Sequence, residues 1–121
     1  MLEKLTRQEE EAMLAAWKTG EGSIKAISEN MEAPLPPYTT LASTIKNLEK
    51  KGYLQSRLVG NTYVYKPSVS HEDYKKKFMN GFVKDYFENS YKELVNFFVT
   101  QKKLSAKELK EIIEMIEKEN K

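Results

Sequence analysis

The chain of 121 residues contains no cysteine, which excludes disulfides, thiolate metal sites and thiol redox sensing. It has one histidine, His71, at the start of an expected helix, and no second histidine to share a metal. No metal site and no cofactor are therefore expected. Its five glycines, Gly20, Gly22, Gly52, Gly60 and Gly81, read as turns or helix contacts and never assemble a phosphate-cradling loop. The carboxylates are spread along helix faces beside basic residues, as Glu108 lies beside Lys107 and Lys110. Such an arrangement is a solvated surface rather than an acid/base pair in a pocket. No catalytic residue is assigned, and the chain does not read as an enzyme. No apolar run is long enough to span a bilayer, and Met1-Leu2-Glu3-Lys4 has no apolar stretch behind it to act as a signal peptide. The expectation is a cytoplasmic protein with no membrane partner.

What is present is an uneven charge. The net charge of +2 divides into −3 over residues 1–33, +4 over 34–67 and +1 over 68–121. The basic excess falls on residues 39–66, which form the most informative stretch of the chain. Leu41, Ile45 and Leu48 recur at i, i+4 and i+7, one buried stripe of a helix. The same register turns Thr39, Thr40, Ser43, Lys46, Asn47 and Lys50 outward. Gly52 stops that helix. Leu54-Gln55-Ser56-Arg57-Leu58 and Tyr63-Val64-Tyr65 largely alternate polar with apolar across a two-residue Gly60-Asn61 loop, a hairpin pattern. A groove-sized helix followed by a basic hairpin is a winged helix-turn-helix, and its electrostatic footprint implies double-stranded DNA.

Helix starts are marked by capping boxes at Thr6-Arg7-Gln8-Glu9, Ser90-Tyr91-Lys92-Glu93 and Ser105-Ala106-Lys107-Glu108, with Ser70-His71-Glu72-Asp73 as a shorter variant. The first helix is expected from about Thr6 to Lys18, with Glu9, Ala12, Met13, Ala16 and Trp17 on one side. Ser23 caps a second helix with Ile24, Ile27 and Met31 inside, and Pro34, Pro36 and Pro37 end it. The winged helix DNA-binding domain is placed at 1–67 and a helical dimerisation domain at 68–121, with the boundary at Pro67-Ser68. The whole is mainly α: three helices plus a β-hairpin wing, then a C-terminal three-helix region at about 70–88, 91–101 and 105–119.

Eight of the thirteen aromatics lie between Tyr74 and Phe98. Tyr74, Phe78 and Phe82 step by four, and Leu109, Ile112, Ile113 and Ile116 form another apolar face. Three helices of this length cannot bury that surface alone. These seven residues are assigned to a homodimer interface, with packing back onto the winged domain as the alternative.

Each outward residue has a role on DNA. One of Thr39 and Thr40 is expected to cap the third helix. The other, with Ser43, is short enough to let the helix sit deep and to bond base edges or phosphate. Lys46 suits a base or phosphate, and Asn47 an adenine edge or the backbone. Arg57 and Asn61 are assigned to phosphate or minor groove. Tyr63 could donate to a phosphate or pack against the helix beneath it. A winged helix used as a protein-interaction module, or a ligand-responsive regulator, remains the alternative function.

LTRQEEEAMLAAWKTGEGSIKAI, YTTLASTIKNLEKKGYL, GNTYVYKPSVS, ELVNFF and LSAKELKEI resemble, in order and at compatible spacing, the penicillinase-repressor family (BlaI/MecI/CopY type). The resemblance implies a homodimeric repressor that binds a palindromic operator and is released by an inducing signal. The copper-responsive branch of that family ends in a cysteine-rich metal motif that this chain lacks. The β-lactam-responsive branch is cut by a sensor-linked protease at an Asn-Phe bond in the helix after the long dimerisation helix. Asn96-Phe97 lies in that helix here. Aligned on Leu94-Val95 and Leu104, the family's scissile pair falls one residue later, on Phe97-Phe98.

Overall fold

Thr6 opens the first helix by closing a reciprocal box with Glu9. Its hydroxyl accepts from the Glu9 N–H at 3.2 Å, and its own N–H donates to the Glu9 carboxylate at 2.9 Å. The computed structural model, which describes residues 2–119, contains six helices and one hairpin in the order α1 (Arg7–Thr19), α2 (Ile24–Ser28), α3 (Tyr38–Lys50), β1 (Leu54–Val59), β2 (Thr62–Pro67), α4 (His71–Phe87), α5 (Tyr91–Thr100) and α6 (Ala106–Glu119). Gly20 ends α1 with φ +83°, a conformation that favours glycine. Two compact units result, Met1–Lys75 and Lys76–Lys121.

The first unit is built around Ala12, Met13, Ile27, Leu41, Ile45, Leu48, Tyr53, Leu54 and Tyr65, all buried. The Leu41, Ile45, Leu48 stripe of α3 therefore faces inward as its spacing requires. The two strands pair antiparallel from Leu54 opposite Pro67 to Val59 opposite Thr62, leaving Gly60 and Asn61 as the turn. Gly60 takes φ +62°, the positive value that a primed hairpin turn demands at its first position. A further link is invisible to periodicity: Gly22 and Tyr65 exchange two backbone hydrogen bonds of 3.0 and 2.8 Å. The turn after α1 thereby becomes a third, minimal partner of the wing.

Three local expectations need correction. Neither Thr39 nor Thr40 caps α3: the helix begins at Tyr38, with Pro37 as an N-cap that offers no side-chain acceptor. Proline supplies the extended entry geometry and both threonines lie inside the first turn. Met31 stays beside the core but off α2, which stops at Ser28. At α5, Ser90 accepts from the Glu93 N–H at 3.1 Å, while its own N–H donates to the Phe87 carbonyl at 2.8 Å instead of to Glu93. Residues beyond Pro67-Ser68 still pack on the first unit. The Ser68 N–H donates to the Tyr53 carbonyl, the Trp17 indole N–H to the Val69 carbonyl, and the Tyr74 hydroxyl to the Glu10 carboxylate, each at 2.8 Å. The Trp17 ring also stacks on His71, centroids 4.6 Å apart and planes 12° apart. Tyr74 stands edge-on to Tyr53 at 6.0 Å and takes part in this unit's packing.

In the second unit Ser105 and Glu108 close a second reciprocal box that starts α6. Phe78, Phe82, Tyr86, Phe87, Phe97 and Phe98 form a chain of ring contacts between 5.0 and 6.2 Å. Val83 is the only fully buried side chain among the described residues of this unit. Leu109 is half-buried, whereas Ile112, Ile113 and Ile116 are exposed by 42, 53 and 55%.

Candidate nucleic-acid interface

The surface of α3 opposite its buried stripe is polar and open. Thr39, Ser43, Lys46, Asn47 and Lys50 are all exposed and fall at i, i+4, i+7, i+8 and i+11, a single face of the helix. Small hydroxyls occupy its N-terminal half and cations its C-terminal half. Thr40 departs from the expected outward set. It is half-buried against the proline-rich turn, near Pro36, Pro37 and Thr44, and its carbonyl accepts from the Thr44 hydroxyl at 2.9 Å. Thr39 and Ser43 are thus the short hydroxyl side chains that this face of α3 leaves exposed.

Tyr38, not assigned from the sequence, lies one residue before Thr39 and so flanks this face rather than continuing it. It is 65% exposed at the first position of α3. Its spacing of three and seven residues from the buried Leu41 and Ile45 gives no signal of exposure in the sequence.

The wing is attached to α3 through side chains. Ser56 on β1 donates to the Glu49 carboxylate at 2.5 Å, so the last turn of α3 holds the root of the hairpin. Tyr65 is buried at the wing's base, and its phenol is held above the usual tyrosine range by burial, with Glu49 adding to the effect. Asn61 is exposed at the tip. Tyr63 does not pack under the hairpin; it is 57% exposed. Leu58 and Val59 are exposed beside it, so the tip carries apolar as well as polar surface.

Arg57 does not stand alone. Its guanidinium forms two hydrogen bonds of 2.9 Å to the two oxygens of Glu21, in the turn between α1 and α2. These bonds hold the Glu21 carboxyl below its ordinary range. No local pattern pairs residues so far apart in the chain, and Glu21 was therefore not assigned.

Three helices, a two-stranded wing and an open hydroxyl, amide and lysine face on the third helix define a winged-helix DNA-binding protein. The family described as Penicillinase repressor matches residues 5–118. The chain belongs to that family, whose members are DNA-binding transcriptional repressors and not enzymes. It is also similar to the penicillinase repressor of Bacillus licheniformis, 24% identical over 115 residues that span 94% of this chain and 90% of that protein. No described helix is long and apolar enough to cross a membrane.

Proposed function

We propose that this repressor acts as a homodimer on a palindromic operator of a β-lactam-resistance gene and is released by an inducing signal. The open face of α3, flanked by the wing, carries the reading. Two copies of that face, related by a two-fold axis, would enter successive major grooves of a symmetric duplex. Support for the second copy comes from the Lys76–Lys121 unit. Phe78, Met79, Phe97, Phe98, Ile112, Ile113 and Ile116 there are each more than a third exposed. Apolar surface of this extent marks an interaction site rather than a solvated face.

The proposed release is one cut at Asn96-Phe97. Helix α5 has no fully buried residue, so its fraying costs little, and fraying is what gives a protease an extended strand. The severed part carries α6 and five of the seven residues named for the proposed dimer face, Phe97, Phe98, Ile112, Ile113 and Ile116.

The decisive experiment is selection of duplexes from a random library, followed by footprinting on the winner. A two-fold-symmetric footprint is expected. Finding no duplex bound more tightly than random DNA at physiological salt would remove the operator reading and leave a protein-interaction role.

A further inference from the structure

The Glu21–Arg57 contact lies on the wing that the proposed function brings to DNA, and it changes what that wing offers. The Gly22–Tyr65 bridge places the turn after α1 against β2, which sets Glu21 beside the hairpin. Both carboxylate oxygens then meet Arg57 at 2.9 Å in the fork geometry that guanidinium also presents to a phosphate. Lys66 on β2 adds to the positive field around the same carboxylate. The Arg57 side chain is 64% exposed and that of Glu21 33%, so the pair is solvent-screened and weakly held. An arginine so placed is available to an incoming anion without unfolding anything.

We propose that Glu21 is an internal stand-in for a DNA backbone phosphate: it occupies Arg57 in the free protein and in loose, non-specific complexes, and yields it only when α3 is seated on the operator. Non-specific affinity is mainly a matter of phosphates neutralised. With Arg57 already neutralised, random DNA gains nothing from it, and the Glu21 charge opposes the approach of the duplex. Once α3 is seated, a phosphate is held against the wing and displaces the carboxylate. Glu21 is therefore a specificity-determining residue that never touches a base. The inference rests on the proposed operator binding.

The test compares salt dependence on the selected operator and on a pool of random duplexes of equal length, using wild type, Glu21→Gln, Arg57→Gln and Arg57→Lys. Glu21→Gln should steepen the log–log salt slope on random DNA by about one and leave the operator slope unchanged. Arg57→Gln should lower the operator slope by about one and leave the random slope unchanged, while Arg57→Lys, which keeps the charge, should restore the operator slope. Urea unfolding of each variant checks that the fold persists. An operator slope unaffected by Arg57→Gln, in a protein that still prefers its operator, would show that the pair survives in the complex and overturn the proposal. A random-DNA slope unaffected by Glu21→Gln would overturn it as well. A wild type with no operator preference would instead remove the reading on which it rests.

Discussion

The Glu9 carboxylate and the Lys51 ammonium meet at 2.6 Å, joining the first turn of α1 to the residue that caps the end of α3. Glu9 is 5% exposed. Burial alone pushes its carboxyl upward, but hydrogen bonds from Lys51 and from the Thr6 N–H outweigh burial and leave it below the ordinary range. A carboxyl lowered on folding adds stability above its unfolded value, and that stability is lost as pH falls through the folded value. Urea midpoints should therefore drop as the pH is taken below the usual carboxylate range, and Glu9→Gln should flatten that part of the profile. Lys51→Met at neutral pH leaves the carboxylate without its charge partner and should cost about 1–3 kcal/mol. A midpoint unchanged in Lys51→Met would show that water replaces the lysine at no cost.

Gly22 is constrained by space rather than by φ. A Cβ built there would lie 2.8 Å from the Thr19 Cγ2 and 2.9 Å from the Ala26 Cβ. Thr19 cannot easily rotate away, since its hydroxyl donates to the Ala15 carbonyl and accepts from the Asn30 amide, both at 2.8 Å. Gly22→Ala should lower stability by about 1–3 kcal/mol, as overpacked sites do. Amide exchange at Tyr65, whose N–H donates to the Gly22 carbonyl, should accelerate more than exchange at Leu48.

On DNA, the two halves of the α3 face should separate by kind of effect. Lys46→Ala should weaken operator and random duplexes alike and lower the salt slope by about one. Ser43→Ala should leave the slope alone and reduce discrimination at one base position by about 1–3 kcal/mol if its hydroxyl reads a base edge. Thr40→Ala, at the half-buried position, should perturb base preference less than Ser43→Ala. Binding isotherms across a salt series measure all three.

Ile113 is 53% exposed on α6, and a charge placed there costs a monomer nothing. In a dimer that buries this face the same charge is unpaired and desolvated. Ile113→Glu should convert sedimentation at micromolar concentration from twice the chain mass to a single chain. Operator affinity should fall with it, because a lone half-site loses the effective concentration that linkage supplies. An unchanged dimer would place the interface elsewhere on α4 or α5.

If the proposed release is right and a sensor protease is encoded beside this chain, co-expression of the two followed by inducer should yield fragments ending at Asn96 and beginning at Phe97. An intact chain under full induction would exclude cleavage and direct the search to a bound ligand.

Much of the architecture was legible because it is written locally. The Thr6–Glu9 and Ser105–Glu108 boxes, the Leu41, Ile45, Leu48 stripe and the Gly60-Asn61 turn are each complete within a dozen residues. The errors share the opposite cause. Tyr74 has helix spacing with Phe78 and Phe82, yet its position is decided by Glu10, Trp17 and Tyr53, far away in the chain. Arg57 shows its charge in the sequence but not its partner Glu21. The start of α3 was misplaced because Pro37 and the threonines both signal a helix beginning, and backbone geometry favoured the proline. The exposed polar set on α3 was readable as a face, while Thr40's withdrawal from it depends on packing against the proline turn.

Trp17 is the chain's single tryptophan, and its indole is held by the Val69 carbonyl, His71 and Tyr74. The molecule thus carries an optical gauge for one specific event, the docking of the first turn of α4 on α1. Intrinsic emission should therefore be blind to losses confined to α5 and α6, yet shift to the red as soon as residues 68–75 peel away. Two kinds of damage that look alike by gel or by lost repression acquire different colours in a fluorimeter.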